Sequence, residues 1–339
     1  MNRVVLLKTQ LDEAAKFAKS KTYRHKRLAV ILLDNFIEIQ LSNLIKEKFL
    51  WNGDLTVNNK KYSEDEKKNI LKYHEALLKA SVCELFINVD EQKMISFCHD
   101  IRNNLYHKTN EDELLVNVAL KTLHKIISFR QPQWKAGKMG IITGSRSVND
   151  LHTLGKIRKA HDSNTDEGWE YFLSKYFNFV DKREKNSSMS LEDYLMNKII
   201  STRKALKFLR TNNREIFVPK TKNWDYNDYF MAHFFNDAKE KDIVEITKLH
   251  RADRENYDLL GALDNLHSTF ASTWKYKKES RLDSLEKSIR TIGKAPINKA
   301  LEKYISLKDE VNIILEVFTK AESHLAGAIQ YAKDVAKGK

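Results

Sequence analysis

Arg102, Asn103 and His107 lie within six consecutive positions of the stretch Phe97-Cys98-His99-Asp100-Ile101-Arg102-Asn103-Asn104-Leu105-Tyr106-His107-Lys108. A guanidinium stays charged and can clamp a phosphate, and an imidazole can carry a proton near neutral pH. Together they are sufficient for cleavage of RNA without a metal. Arginine followed by histidine after four to six intervening residues is a cheap pattern in a chain with 15 Arg and 11 His, so the spacing alone is a weak signal. A second match, Arg146 with His152, follows a glycine-containing loop and has no helical pattern before it. The first match closes one strongly amphipathic segment and stands just before the next. Tyr106, Lys108, Arg24 and Arg27 are the candidate substrate contacts around it, the last two from a basic cluster running from Lys19 to Arg27. A core tyrosine and a solvated lysine are the ordinary alternatives for Tyr106 and Lys108. Asp100 is close enough in the chain to pair with Arg102 or a nearby lysine, and neither it nor His99 has an assigned role.

The elements that position these residues read as helices. Leu28, Ile31, Leu32, Phe36, Ile39, Leu44, Ile45 and Phe49 follow helical spacing and predict a long helix to about residue 49, after a shorter one over 1 to 19. Ser63-Glu-Asp-Glu66 has the spacing of a capping box and predicts one helix with Ile70, Leu77, Leu78, Val82, Leu85 and Phe86 on its inner stripe. Asp90 is the expected cap of the next helix, with Met94, Phe97 or Cys98, Ile101 and Leu105 facing inward. Asn110 to Glu113 supplies a further start signal for a helix to about Phe129, antiparallel to the one before it.

The expected fold is therefore all-α, with an N-terminal helical bundle in residues 1 to 130 whose four-helix core spans 20 to 130 and carries the Arg/His motif. Residues 131 to 168, where Pro132, Gly137, Gly140, Gly144 and Gly155 concentrate, read as a linker. The run Gly137 to Ser145 within it is not a nucleotide phosphate loop, which needs Lys and Ser or Thr directly after its last glycine. Residues 169 to 339 read as a second helical domain of unassigned role. Helices are expected there at about 168 to 182, 190 to 212, 225 to 240, 241 to 278 and 282 to 292, with a final one from Pro296 nearly to the end. Lys220, Lys222, Trp224, Tyr226 and Tyr229 mix basic and aromatic groups, a mixture that suits either base stacking or a core with lysines at its rim.

Composition narrows the classes. In 339 residues only 10 Gly and 3 Pro interrupt the chain, which favours long helices joined by short turns. A formal charge of +13 points to a polyanionic partner, most simply a nucleic acid. Cys83 and Cys98 lack any metal-ligand spacing and are expected to pack as small buried groups, so no metal or other cofactor is expected. The longest apolar run, Leu28 to Leu33, is short for a bilayer, and the N-terminus lacks the apolar core of a signal peptide. A cytoplasmic protein without membrane contact is the expectation.

Residues five apart on a helix are rotated by about 140° from one another, so Arg102 and His107 do not share a face. Either the helix end bends, or a symmetry mate completes the site; the second case predicts a two-fold dimer with a composite cleft. The negative end of the helix dipole favours the charged form of a histidine in the last turn.

Arg102-Asn103 followed by His107, at the end of the penultimate bundle helix, resembles the HEPN superfamily, whose hallmark is Arg, often a polar residue such as Asn, then His after four to six residues. Arg27-Leu-Ala-Val-Ile-Leu-Leu-Asp-Asn35 resembles the apolar opening helix of those domains, and the likeness covers roughly residues 20 to 130. The resemblance implies a dimeric, metal-independent endoribonuclease, commonly a toxin or antiviral effector that attacks tRNA or mRNA, and with it an antitoxin or sensor partner. The chemistry would be attack of a ribose 2′-hydroxyl on the neighbouring phosphate. His107 would move the proton, Arg102 would neutralise the phosphate and Asn103 would orient either group. A non-catalytic helical RNA-binding or scaffold protein is the alternative, its basic surface supplying the affinity.

Overall fold

The computed structural model describes residues 3–51, 62–107, 112–134, 166–180, 187–212, 240–253 and 278–338, with isolated positions between 226 and 269. Every regular element among the described residues is an α-helix: α1 (Arg3–Lys19), α2 (Tyr23–Trp51), α3 (Glu64–Lys72), α4 (His74–Cys83), α5 (Val89–His107), α6 (Glu113–Trp134), α7 (Asp166–Lys175), α8 (Ser187–Asn212), α9 (Glu240–Ala252), α10 (Ser280–Ile289) and α11 (Ile297–Ala336). The all-α expectation holds. The loop Gly137 to Ser145, most of the linker, Asn110, Lys108 and the run from Lys220 to Tyr229, apart from a buried Tyr226, lie outside the described residues.

Two compact units make up the chain, the first comprising Met1–Leu191 with Ala295–Leu301 and the second Glu192–Lys294 with Glu302–Lys339. The first is built around α2, which packs against α1, α4, α5 and α6. Apolar residues stand on more than one side of this helix, so periodicity chooses its inner face only in part. Val30, Leu33, Phe36, Ile37 and Leu41 are buried, whereas Leu28 and Ile39, expected inside, are exposed. Its span Tyr23–Phe49 is long and apolar enough to cross a bilayer, and 56% of its most apolar window is buried inside the protein. Such burial is what a core helix of a globular unit requires.

The capping box forms as read, with Ser63 accepting from the Glu66 backbone N–H and the Glu66 carboxylate from that of Ser63. The helix it starts is shorter than expected, because Tyr73 adopts extended backbone (φ −113°, ψ 125°) and divides it into α3 and α4. The division makes His74 the first residue of α4 and turns it toward α5. α4 in turn ends in a left-handed Leu85 (φ 61°), with the Phe86 N–H donating to the Ser81 carbonyl at 2.9 Å. Leu85, expected on the inner stripe, is consequently 85% exposed.

α5 is capped by Asn88 and not by Asp90. The Asn88 N–H donates to Glu91 at 2.8 Å, and Asn88 Oδ1 accepts from the Glu91 N–H at 2.8 Å. Asp90 instead accepts from Asn298 Nδ2 at 2.8 Å. Glu91 also receives the Arg130 guanidinium on both oxygens, at 2.7 to 3.0 Å. The inner face of α5 is the expected one, with Met94, Phe97, Cys98, Ile101 and Leu105 all buried. Cys98 is packed as expected, and burial pushes its thiol well up. Cys83 is exposed instead.

α6 continues past Phe129 to Trp134, whose indole N–H donates to the Phe86 carbonyl at 3.0 Å. α7 lies beyond the glycine-containing stretch in sequence, yet it packs on α6 within the first unit. Its buried Trp169 and Phe172 rings receive the buried Lys8 ammonium at 5.1 and 5.6 Å from their centroids. In the second unit, Lys198 of α8 meets Asn312 of α11 at 2.6 Å, Arg203 of α8 meets Asp283 of α10 at 2.6 Å, and Arg281 of α10 meets Glu310 of α11 at 2.6 Å. Val311, Phe318 and Leu325 of α11 are buried, and the Tyr226 ring lies 4.9 Å from that of Phe318.

His124 of α6 is wedged between Phe177 and Phe179, ring centroids 4.9 and 4.6 Å away. Burial lowers its pKa to about 4, while a hydrogen bond to the Phe177 backbone pulls weakly the other way. An unfolded chain binds this proton near pH 6.5, so stability is complete above that value and falls as pH drops toward 4. His124→Leu is expected to remove about 2–3 kcal/mol of that loss, read as a flatter dependence of the urea midpoint on pH between 7 and 4.

Candidate functional site

His99, Arg102, Asn103 and Tyr106 stand at i, i+3, i+4 and i+7 on α5, the spacing of one helix face. α2 opposes them with Asp34, Asn35 and Glu38, of which Asp34 and Glu38 are one turn apart. The third contributor is His74, at the start of α4.

Asp34 is the centre of this cluster. Its side chain is fully buried, and Oδ2 lies 2.8 Å from His99 Nδ1 and 3.7 Å from Arg102 Nε. A carboxylate can only accept, so Nδ1 of His99 donates and Nε2 is left as the free edge of the ring. The Arg102 contact is too long for a hydrogen bond and acts through charge. Arg102 is fixed by other groups: it donates to Asn103 Oδ1 at 3.0 Å and to Asn35 Oδ1 at 3.4 Å, and lies 4.8 Å over the Tyr106 ring. Of the two partners open to Asp100 in the sequence, Arg102 is taken by Asp34 instead, and Asp100 is exposed.

His74 stacks on His99, ring centroids 3.6 Å apart and planes within 7°. Burial lowers the His74 pKa to about 4, helped by the neighbouring His99 and Arg102 and opposed by Asp34. Both its nitrogens, Asp34 Oδ1 and Arg102 Nε are buried with no hydrogen-bond partner among the described residues. Four such atoms in one cluster are costly, at about 1–3 kcal/mol each, and a fold gains nothing from them by itself. Beside them opens a cavity of about 490 Å³ lined by Tyr73, His74, Glu75, Ser96, His99, Asp100 and Asn103.

Of the residues singled out by sequence, Arg102, Asn103 and Tyr106 come together here, with Tyr106 57% exposed. His107 is the last residue of α5, and its side chain lies outside the described residues, as does all of Lys108. Arg27 donates to the Leu105 carbonyl at 2.6 Å and so ties α2 to the last turn of α5. Arg24 is exposed near the start of α2. Sequence reasoning missed Asp34, Asn35, Glu38 and His74. Asp34 left a signal, as an acid in the middle of the apolar run Leu28 to Ile39, where an unpaired charge is disfavoured. His74 left none, since its position follows from the break at Tyr73.

Comparison of the chain with protein-family models, with curated proteins and with solved structures found no match. The chemistry of the site therefore rests on these side chains alone.

Removing Asp34 strands Arg102 and frees His99. Asp34→Ala is expected to destabilise the chain by about 2–3 kcal/mol in urea unfolding, below the range for a fully buried pair because Arg102 reaches some solvent. Asp100→Ala, on an exposed neighbour, should stay within about 0.5 kcal/mol of the parent.

Proposed function

We propose that the chain is a metal-independent endoribonuclease of the HEPN type, a toxin or antiviral effector that cleaves RNA by attack of a ribose 2′-hydroxyl on the adjacent phosphate. The observation that carries the reading is an arginine held by two asparagines beside a carboxylate-anchored histidine, at the edge of an open cavity. Arg102 would neutralise the phosphate, and Asn103 would orient it. His107 would carry the proton as the sequence motif requires, and His99, with Nδ1 fixed by Asp34, presents Nε2 as the second group able to take or give one. Stacking of a base on the exposed Tyr106 fits the same substrate. In this reading two chains meet about a two-fold axis and share the cleft, and the net charge of +13 draws in the polyanion.

The test is incubation of the purified chain with total tRNA and mRNA in EDTA, followed by sequencing of RNA ends. Cleavage is expected to persist in the chelator, to fail on a 2′-deoxy substrate, and to fall at least about a hundredfold in Arg102→Ala and in His107→Ala. Intact RNA with salt-sensitive binding, unchanged in His107→Ala, would replace the nuclease with an RNA-binding scaffold.

A further inference from the structure

We infer that Glu38, His74 and His99 form a binding site for a late first-row transition dication, zinc or a close relative. The inference rests on the geometry of these side chains and not on the cleavage reading, with which it shares His99. One donor atom from each residue lies within 4.8 Å of the others, and all three side chains are half-buried.

Three further features mark the set as a ligand site. Asp34 fixes His99 through Nδ1 at 2.8 Å, the carboxylate–histidine arrangement that orients a ligating imidazole and leaves Nε2 for the ion. Both His74 nitrogens are buried without a hydrogen-bond partner among the described residues, an uncompensated cost that a metal bond to either would remove. The local charge also fits: Asp34 and Glu38 carry two negative charges against the one of Arg102, and a dication more than offsets the remainder. Two imidazoles and one carboxylate suit zinc, iron, cobalt or nickel and not magnesium or calcium, which take oxygen donors. His74 and His99 also line the cavity, which supplies an entry path and room for a further ligand.

The three donor atoms lie within 4.8 Å of one another, and the two imidazole planes are nearly parallel. Bonds of about 2.0–2.1 Å in a tetrahedron put donor atoms about 3.3 Å from one another. An imidazole nitrogen binds an ion in the plane of its ring, so binding must tilt the His74 and His99 rings out of their parallel stack, with Glu38 following by side-chain rotation. Because His99 is then held by the ion, the site would oppose its use as a proton carrier.

The experiment is titration of the full chain, stripped with chelator and desalted, with Zn²⁺ by calorimetry and with Co²⁺ by visible absorption. Binding of one ion per chain is expected, with a cobalt spectrum of mixed nitrogen and oxygen ligation and no comparable uptake of Mg²⁺. Glu38→Gln and His74→Gln should each weaken Zn²⁺ at least about tenfold, and Asp34→Asn by about ten- to a hundredfold. Circular dichroism confirms that each variant is folded; Glu38→Gln, which alters a half-buried group on an intact helix, keeps the test open if His74→Gln is not. No stoichiometric uptake by the parent chain, or uptake unchanged in folded Glu38→Gln, would overturn the site. Either result leaves cleavage in EDTA as a separate question.

Discussion

The carboxylate of Asp34 is sealed in the interior of the first unit with a histidine and an arginine as its counter-groups. A buried charge is tolerated only when paired, so its presence dictates what the facing helix must carry. α5 answers with His99 and Arg102 on adjacent positions of one face, and Asn35 and Asn103 occupy guanidinium donors that Asp34 does not reach. The rest of the unit keeps α2 and α5 at that separation. Arg27 secures the last turn of α5, the Asn88 box secures its first, and the Arg130 fork on Glu91 joins it to α6. An apolar substitute for such a network is often at least as stable, so a network left with four buried polar atoms unsatisfied suggests a use other than stability.

How far the sequence could be read depends on whether the signal was local. The all-α class, the Ser63 capping box and the inner face of α5 follow from periodicity and cap chemistry, which act within a turn or two. The inner face of α2 followed only in part: Phe36, Leu44, Ile45 and Phe49 are buried as expected, whereas Leu28 and Ile39 are exposed, because apolar residues stand on both sides of this helix. The end of α4 did not follow, since a leucine stands at the left-handed position where glycine is the usual sign. Nor did the placing of α7, which turns on Trp169 and Phe172 meeting Lys8 from the far end of the sequence.

The candidate site shows the same division. Attention to Arg102 with His107 follows the chain, yet those two are about 140° apart on a helix, whereas His99 and Arg102 differ by about 60° and share a face. The one-face pattern of His99, Arg102, Asn103 and Tyr106 was present in the sequence and marks α5 as a polar stripe looking into a protein interior. What it faced was not legible, because Asp34 and His74 reach it through tertiary packing across 65 and 25 residues of chain. The two proposed uses of the cluster, a phosphate-binding proton-transfer site and a cradle for a cation, draw on the same free edge of His99.

Both uses require that Asp34 hold His99 through Nδ1. The most direct measurement is a long-range proton–nitrogen correlation spectrum of the ¹⁵N-labelled chain, with His99 assigned by substitution. The account predicts a protonated Nδ1 carrying a downfield, slowly exchanging proton, and loss of that signal in Asp34→Asn. A neutral His99 protonated at Nε2 with a bare Nδ1 would contradict it.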